Sequence, residues 1–355
     1  MSRIAAVGTA LPPHRYAQRT LTDAFAQIAL GEQADRRVLD RLHEATGVEF
    51  RHLALPLESY AELDGFGASN DAFIEVGTDL GETAARRALD LAGLEPGEVD
   101  LIVTTSVTGV AAPSLDARLV PRLGLRPDVK RLPIFGLGCV AGAAGVARVH
   151  DLLAGEPGAV AVLLSVELCS LTIQRDDASI ANQVGSGLFG DGAAAVVLVG
   201  DRRAAAMGLP PGPSVIATRS RLYPGTERVM GWDIGGSGFR IVLAASVAEV
   251  VEEHLGHDVT AFLGDHDLKI DDIGTWVAHP GGPKVLHAMT RTLGIAPDAL
   301  GRTWRSLAQV GNLSSASVLH VLADTLAAPP PPSGSYGVLL AMGPGFCSEL
   351  VLLQW

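Results

Sequence analysis

Residues 136–145, with the sequence GLGCVAGAAG, are compatible with two different chemistries. Read as G-x-G-x-x-A, the stretch is a glycine loop that could bind a pyrophosphate at a helix N-terminus. Read as a Gly-Cys corner, it presents Cys139 at the start of a helix, where unpaired N–H groups and the helix dipole favour the thiolate. A lone glycine loop this deep in the chain is a weak nucleotide signature, so the sequence favours the nucleophile.

A reactive thiolate needs partners, and two residues are candidates. His279 follows an apolar run and precedes Pro-Gly-Gly-Pro, a rigid turn. Asn312 lies at a second corner, VGNLSS, where a plain helix N-cap is the competing interpretation. Together, Cys, His and Asn form a known type of nucleophile set. In such a set the imidazole supports the thiolate, and the imidazole and amide N–H groups stabilise an oxyanion.

The elements that position these residues are repeated along the chain. Residues 88–106 match residues 262–280 at an offset of 174, from 88 to 262, and each segment predicts a helix end, an acidic turn and a buried strand. Residues 139–155 match residues 312–328 at an offset of 173, from 139 to 312. Each of these predicts a helix with one apolar face, followed by a Gly/Pro linker and a strand.

A period this long excludes a solenoid and predicts an α/β protein made of two duplicated halves, residues 1–205 and 206–355, about a pseudo-twofold axis. The continuous apolar runs at 160–166 and 193–199 predict strands buried on both faces of a sheet. A pseudo-twofold axis would bring both helix starts, with Cys139 and Asn312, toward one central site.

Composition narrows the class of protein. The chain has 355 residues, is 48% hydrophobic and carries a net charge of −12, which is unfavourable for nucleic-acid binding. No apolar run is long enough for a membrane span and no signal peptide is evident, so a cytoplasmic protein is expected. Three cysteines without a Cys/His cluster predict free thiols and no metal site. Four arginines allow two interpretations, a basic mouth that admits anionic substrates or a helix face that is exposed to solvent. These residues are Arg36, Arg37, Arg41 and Arg51.

Five motifs together resemble one enzyme family: GCVAG at 138–142, LFGDGAAA at 188–195, WVAHPGGP at 276–283, GNLSSAS at 311–317 and MGPGF at 342–346. In this order and spacing they resemble the chalcone-synthase-like, or type III, polyketide synthases, from about residue 3 to the C-terminus. The resemblance implies a thiolase-like fold, in which two duplicated halves form a five-layered αβαβα sandwich. It also implies a homodimer.

The resemblance further implies a mechanism. Cys139 would take an acyl group from an acyl-CoA starter and hold the growing chain, and His279 would keep it as thiolate. His279 and Asn312 would bind the thioester carbonyl of malonyl-CoA and favour decarboxylation to an enolate, since both can donate to the developing oxyanion. No metal or redox cofactor is required.

The resemblance also assigns substrate-binding positions. Phe189 matches a gatekeeper aromatic residue, and Phe239 matches a second one. Arg41 matches a basic residue at the CoA entrance. The remaining matches line the cavity or lie near its wall: Cys169, Thr172, Met230 and Ser314.

The expected product is an alkylpyrone or alkylresorcinol built on an aliphatic starter. The loop TTSVTGVAAPS at 104–114 carries no cysteine, whereas relatives that form tetrahydroxynaphthalene carry one there. A carrier protein that delivers the starter is open but not required. Three alternatives remain at this point: a fatty-acid-initiating ketoacyl synthase that uses carrier-bound malonate, a nucleotide-binding dehydrogenase, and a catalytically silent interaction protein.

Overall fold

The computed structural model describes residues 1–28, 36–175, 177–209 and 213–355. Its strands are β1 (Ser2–Ala10), β2 (His14–Ala17), β3 (Phe50–Leu53), β4 (Leu101–Ser106), β5 (Lys130–Phe135), β6 (Val160–Leu168), β7 (Asp191–Gly200), β8 (Ser214–Leu222), β9 (Met230–Gly235), β10 (Gly238–Leu243), β11 (Ile273–Ala278), β12 (Tyr336–Gly343) and β13 (Cys347–Gln354).

The α-helices are α1 (Gln18–Ile28), α2 (Arg36–Glu44), α3 (Gly65–Ala92), α4 (Leu115–Leu123), α5 (Ala141–Gly155), α6 (Ile180–Leu188), α7 (Asp201–Met207), α8 (Val247–Gly264), α9 (Pro283–Leu293), α10 (Gly301–Val310) and α11 (Ser315–Leu326). Over the described ranges, no helix is both long and apolar enough to cross a membrane.

Nine strands form one sheet in the order β11-β12-β13-β8-β1-β7-β6-β4-β5. The first four strands come from the second half of the chain and the last five from the first half. The two parts meet where Ser2 and Arg3 of β1 pair antiparallel with β8. The two parts share one strand pairing: β4 lies parallel to β6 in the first part, and β11 lies parallel to β12 in the second. In each pair, the first strand lies in one repeated segment and the second strand follows the other.

Helices form three layers around these two parts of the sheet. Helix α3 packs on β1, β6 and β7 from outside, and α8 and α9 cover the far side of the second part. Helices α5 and α11 lie in the central layer and contact strands of both parts. Gly142 allows their close approach, because a Cβ there would lie 2.2 Å from the Ser315 carbonyl oxygen. The α/β class and the five-layered thiolase-like arrangement are confirmed.

The repeat is visible in the elements themselves. Strands β4 and β11 each follow a long helix and a short 3-10 turn, Pro96–Glu98 and Ile270–Asp272. Strands β6 and β7 are buried at every residue, as expected for a sheet with helices on both faces. The division at 205/206 falls within α7 and remains a prediction.

Candidate active site

Cys139 lies at a corner between β5 and α5. Gly138 has φ +55°, a region that favours glycine, and a Cβ at this position would lie 2.6 Å from Pro344. A 3-10 turn, Gly138–Val140, then leads directly into α5. Cys139 is only 5% exposed and belongs to the wall of a cavity of about 60 Å³. The glycine therefore sets the backbone that turns the thiol toward this cavity.

Gly142 and Gly145 of this stretch pack against neighbouring elements, whereas the space beside Gly136 is open. The space beside Gly142 is filled by α11, and a Cβ on Gly145 would lie 2.5 Å from Leu163 of β6. A pyrophosphate needs free backbone N–H groups and open space beside such glycines. Protein atoms occupy that space beside Gly138, Gly142 and Gly145, which disfavours the nucleotide-binding interpretation of the glycine loop.

His279 directly follows β11, and its backbone N–H donates to the Leu340 carbonyl at 2.9 Å. The side chain is 3% exposed, and neither ring nitrogen has a hydrogen-bond partner among the described residues. Burial lowers the pKa of His279 to about 3, which keeps the imidazole neutral. Buried polar groups are almost always paired, so an unpaired imidazole is typical of a functional site.

Asn312 is held by its backbone on one side and its side chain on the other. Its backbone forms an isolated bridge with Phe189, in which the Asn312 N–H donates to the Leu188 carbonyl at 2.9 Å. Its Oδ1 accepts from the Ser314 N–H at 2.8 Å. The N-cap position of α11 is Ser314. The amide oxygen is thus engaged, which leaves the NH₂ group as the donor available to Cys139.

The surroundings of Cys139 favour the neutral thiol. Burial raises the pKa of Cys139 to about 12; hydrogen bonds with Ser314 and Asn312 lower it, and the charge of Glu167 raises it. The Cys139 Sγ lies 3.8 Å from Oγ of Ser314. Burial thus favours the neutral form of both Cys139 and His279, and the thiolate that the resemblance implies remains a prediction.

The cavity brings together most of the residues proposed from the sequence. Those that line it are Cys139, Cys169, Thr172, Phe189, Met230 and Ser314. His279 and Asn312 line an adjoining space of about 20 Å³, whose walls also include Phe189 and Met230. Phe189 therefore lines both spaces, and its role as a gatekeeper remains a prediction.

Phe239 and Arg41 lie elsewhere. Phe239 packs against Phe66 and Trp232 and lines a second cavity of about 400 Å³. Arg41 is exposed on α2 and lines neither of these two cavities. The basic mouth does not form as a group, because Arg36 pairs with Asp23 and Asp40 on the surface, while Arg51 is buried.

The 400 Å³ cavity adjoins the cavity around Cys139. Five residues line both: Arg51, Ser170, Thr172, Ile173 and Ser186. The larger cavity is rich in apolar side chains, among them Leu21, Phe25, Leu57, Phe66 and Leu171. It thus offers space for an acyl chain beyond the immediate surroundings of Cys139.

Sequence reasoning did not identify a hydrogen-bond network that is centred on Glu167 of β6. Its carboxylate is fully buried and accepts from Oγ1 of Thr108 at 2.8 Å, from Oγ of Ser315, and from the N–H of Val107 at 3.1 Å. Burial raises its pKa, and these hydrogen bonds lower it. An acidic residue inside an otherwise apolar strand was the signal that could have identified this network.

Comparisons with known proteins identify the class of enzyme. Residues 1–202 match the family model for the N-terminal domain of chalcone and stilbene synthases, and residues 214–355 match the model for the C-terminal domain. The chain belongs to this family, the type III polyketide synthases, and is a condensing enzyme of the acyltransferase type. The ketoacyl synthase, dehydrogenase and interaction-protein alternatives are therefore wrong.

Individual relatives of the chain include bacterial enzymes. It is 59% identical to a 1,3,6,8-tetrahydroxynaphthalene synthase of Streptomyces peucetius, over 99% of this chain and 93% of the relative. It is 35% identical to a putative chalcone synthase of Bacillus subtilis, over 100% and 99%. The crystal structure of 1,3,6,8-tetrahydroxynaphthalene synthase from Streptomyces coelicolor, a bacterial type III polyketide synthase, has a TM-score of 0.93 at 29% identity and 99% coverage of both chains.

Proposed function

We propose that Cys139 is the nucleophile that carries the acyl chain, and that His279 and Asn312 activate malonyl-CoA. The Cys139 sulfur attacks the thioester carbonyl of an acyl-CoA, His279 accepts the thiol proton, and CoA leaves as the thiol. A neutral imidazole is the form able to accept this proton, and it is the form that burial maintains at His279.

The extension step uses His279 and Asn312 as hydrogen-bond donors. Loss of CO₂ from malonyl-CoA breaks the bond between its α-carbon and its carboxylate, and the electron pair moves onto the thioester oxygen. N–H groups of Asn312 and of His279, in its donating tautomer, stabilise this oxyanion. The enolate carbon then attacks the thioester on Cys139 and expels the sulfur, which leaves the extended chain on CoA for reloading.

One observation carries this proposal. The His279 imidazole is buried without a partner beside an Asn312 amide whose oxygen is already bound. An unpaired buried polar group costs about 1–3 kcal/mol, so this arrangement is expected where a ligand completes the hydrogen bonds.

Intact-protein mass spectrometry with a panel of acyl-CoAs and malonyl-CoA tests it. We expect an acyl adduct on the wild-type protein and on the matched thiol control Cys347→Ala, and none on Cys139→Ala. Products that persist in Cys139→Ala would contradict the assignment of the nucleophile.

Two starters are favoured by different observations. The 59% identity to the S. peucetius enzyme favours malonyl-CoA as both starter and extender, with a tetrahydroxynaphthalene-type product. The apolar residues of the 400 Å³ cavity favour the aliphatic starter expected from the sequence, with an alkylpyrone or alkylresorcinol product.

Product analysis separates these two candidates. Incubation with malonyl-CoA alone should yield the aromatic product in the first case and leave only simple malonyl-derived pyrones in the second. Adding hexanoyl- or octanoyl-CoA with labelled malonyl-CoA should divert most of the label into alkyl products only in the second case.

We also propose a homodimer that forms through the β5 edge of the sheet. β5 is a terminal strand of the nine-stranded sheet. Leu132 and Phe135 on it are 39% and 50% exposed, and nearby Val110 is 42% exposed. Antiparallel pairing of β5 with a second copy about a twofold axis would cover this edge. Light scattering should give a dimer mass for the wild type and a monomer mass for Phe135→Glu.

A further inference from the structure

Arg51, on β3, is a buried cation with incomplete compensation. Its side chain is 3% exposed; Nε donates to Oε1 of Gln18 at 3.1 Å and Nη1 to the Phe189 carbonyl at 2.8 Å. Within the described part of the chain, Arg51 forms no ion pair with a carboxylate and its Nη2 has no acceptor. Buried charges in proteins are normally paired, so this guanidinium is an exception.

The acid that acts electrostatically on Arg51 is hydrogen-bonded to other groups. Asp191 acts electrostatically on Arg51, but its Oδ1 accepts from the Ser170 N–H at 2.8 Å and its Oδ2 from the Ala54 N–H at 2.6 Å. The Ser170 hydroxyl also donates to Oδ2. This carboxylate therefore compensates the guanidinium only from a distance, which leaves the cation available to a ligand.

Arg51 also lies where a substrate chain would pass. It lines both the cavity around Cys139 and the 400 Å³ cavity, whereas Cys139 lines only the smaller one. Among the described residues around Cys139, Arg51 is the one cation in the cavity wall. A chain attached to Cys139 and directed toward the larger cavity would thus bring its distal end past this guanidinium.

We propose that Arg51 recognises a carboxylate at the distal end of the acyl chain on Cys139, so that the preferred starters are CoA thioesters of dicarboxylic acids. This inference rests on the proposed function of Cys139. A chain begun with malonyl-CoA retains such a carboxylate, which can form a charge-assisted hydrogen bond with Arg51. A chain that ends in a methyl group would displace water from the guanidinium without replacing its hydrogen bonds. Arg51 thus selects the starter and takes no part in bond formation.

Matched starters of equal carbon number test this charge preference. The rate of adduct formation on Cys139 is measured below saturation with succinyl-, glutaryl- and adipyl-CoA, and with butyryl-, pentanoyl- and hexanoyl-CoA. We expect the wild type to load at least one carboxylate-ended starter roughly tenfold or more faster than its alkanoyl match. Arg51→Gln should reduce that ratio by roughly 10- to 100-fold, through a larger loss for the carboxylate-ended starters than for the alkanoyl starters, and Arg51→Lys should retain part of it.

A matched control separates recognition from positioning, because Arg51 also holds the Phe189 carbonyl. Gln18→Leu removes the acceptor of Nε and keeps the cation, so it should preserve the starter ratio. Equal losses for both series in Arg51→Gln, or an equal ratio change in Gln18→Leu, would overturn the proposal in favour of a positioning role.

The wild-type loading rates test the charge preference by themselves, even where a variant does not fold. Equal loading of both series overturns the charge preference and leaves the proposed function standing. Absence of any adduct on Cys139 contradicts the proposed function itself.

Discussion

The two repeated corners of the molecule begin alike and then diverge. Gly138 and Gly311 have φ of +55° and +74°, and each precedes a residue that we propose for catalysis, Cys139 and Asn312. After Cys139, a 3-10 turn runs directly into α5. After Asn312, the chain turns at Ser314, a non-glycine residue with φ +49°, before α11 begins.

This difference shows how one duplicated scaffold can supply two chemical groups to one site. The shared glycine and helix place both corners in the central layer. The residues that follow then decide whether a thiol or an amide faces the cavity. In the second corner the Ser314 N–H binds the Asn312 oxygen, so the strained turn orients the amide.

The pH dependence of thiol reactivity gives the largest expected effect. Because burial raises the pKa of Cys139 to about 12, the thiolate fraction should rise about tenfold per pH unit across pH 6–9. Alkylation by iodoacetamide, followed by peptide mass spectrometry, should therefore accelerate about 1000-fold over this range. A rate that is already high and constant at pH 6–8, and that falls in His279→Ala, would instead show a thiolate–imidazolium pair.

Loss of His279 or Asn312, the two proposed donors to the oxyanion, should give the next largest effect. Asn312→Ala and His279→Ala should each slow malonyl-CoA decarboxylation by about 10²–10³, because each removes one oxyanion donor. Asn312→Ala should still load an acyl group on Cys139, so that loading and decarboxylation separate in a mass-spectrometric and CO₂-release assay.

His320→Gln is the control for the loss of a buried histidine. His320 is also buried, but its Nε2 contacts the Ala193 carbonyl at 3.1 Å and it lines neither the Cys139 cavity nor the adjoining ones. A loss of decarboxylation as large as that in His279→Ala would refute a specific role for His279.

Sequence reasoning succeeded where one pattern extends over many residues. The repeated helix and strand segments predicted the duplicated layers. The repeated corners and the turn Pro-Gly-Gly-Pro singled out Cys139, Asn312 and His279, which line adjoining cavities; their catalytic roles remain predictions. The apolar runs likewise predicted β6 and β7 as strands buried on both faces.

Sequence reasoning missed features that depend on contacts distant in the chain. Arg51 was grouped with surface arginines, because no local pattern shows that β3 is covered by Gln18 and Phe189. The neutral state of His279 likewise follows from burial by several elements. The left-handed conformation of Ser314 had no sequence signal, since glycine is the residue expected there.

Substitution of Gly138 and Gly136 tests how closely other residues pack around the corner that carries Cys139. Gly138→Ala adds a Cβ at 2.6 Å from Pro344 and also backbone strain at φ +55°. The free energy of unfolding should therefore fall by about 2–5 kcal/mol. Gly136→Ala is the matched control, because Gly136 has φ +99° but no heavy atom lies within 4 Å of the added Cβ. Its free energy of unfolding should fall by only about 1–3 kcal/mol. Equal costs in urea unfolding would mean that contact with Pro344 contributes nothing.

Position 314 and its counterpart 141 should respond to glycine with opposite signs. Ser314→Gly relieves a conformation that costs a non-glycine residue about 1–3 kcal/mol, so it should be more stable than Ser314→Ala by about 1 kcal/mol. Ala141 has φ −64° at the start of α5, so Ala141→Gly should destabilise by about 0.5–1 kcal/mol.

The two variants at 314 both remove the hydroxyl near the Cys139 sulfur, so the difference in stability between them reports the backbone conformation and the buried methyl group, and not the hydroxyl. Urea unfolding of all three variants measures the effect. Destabilisation by Ser314→Gly relative to Ser314→Ala would mean that the second corner is not strained. The orientation of the Asn312 amide would then have to come from its bridge with Phe189 instead.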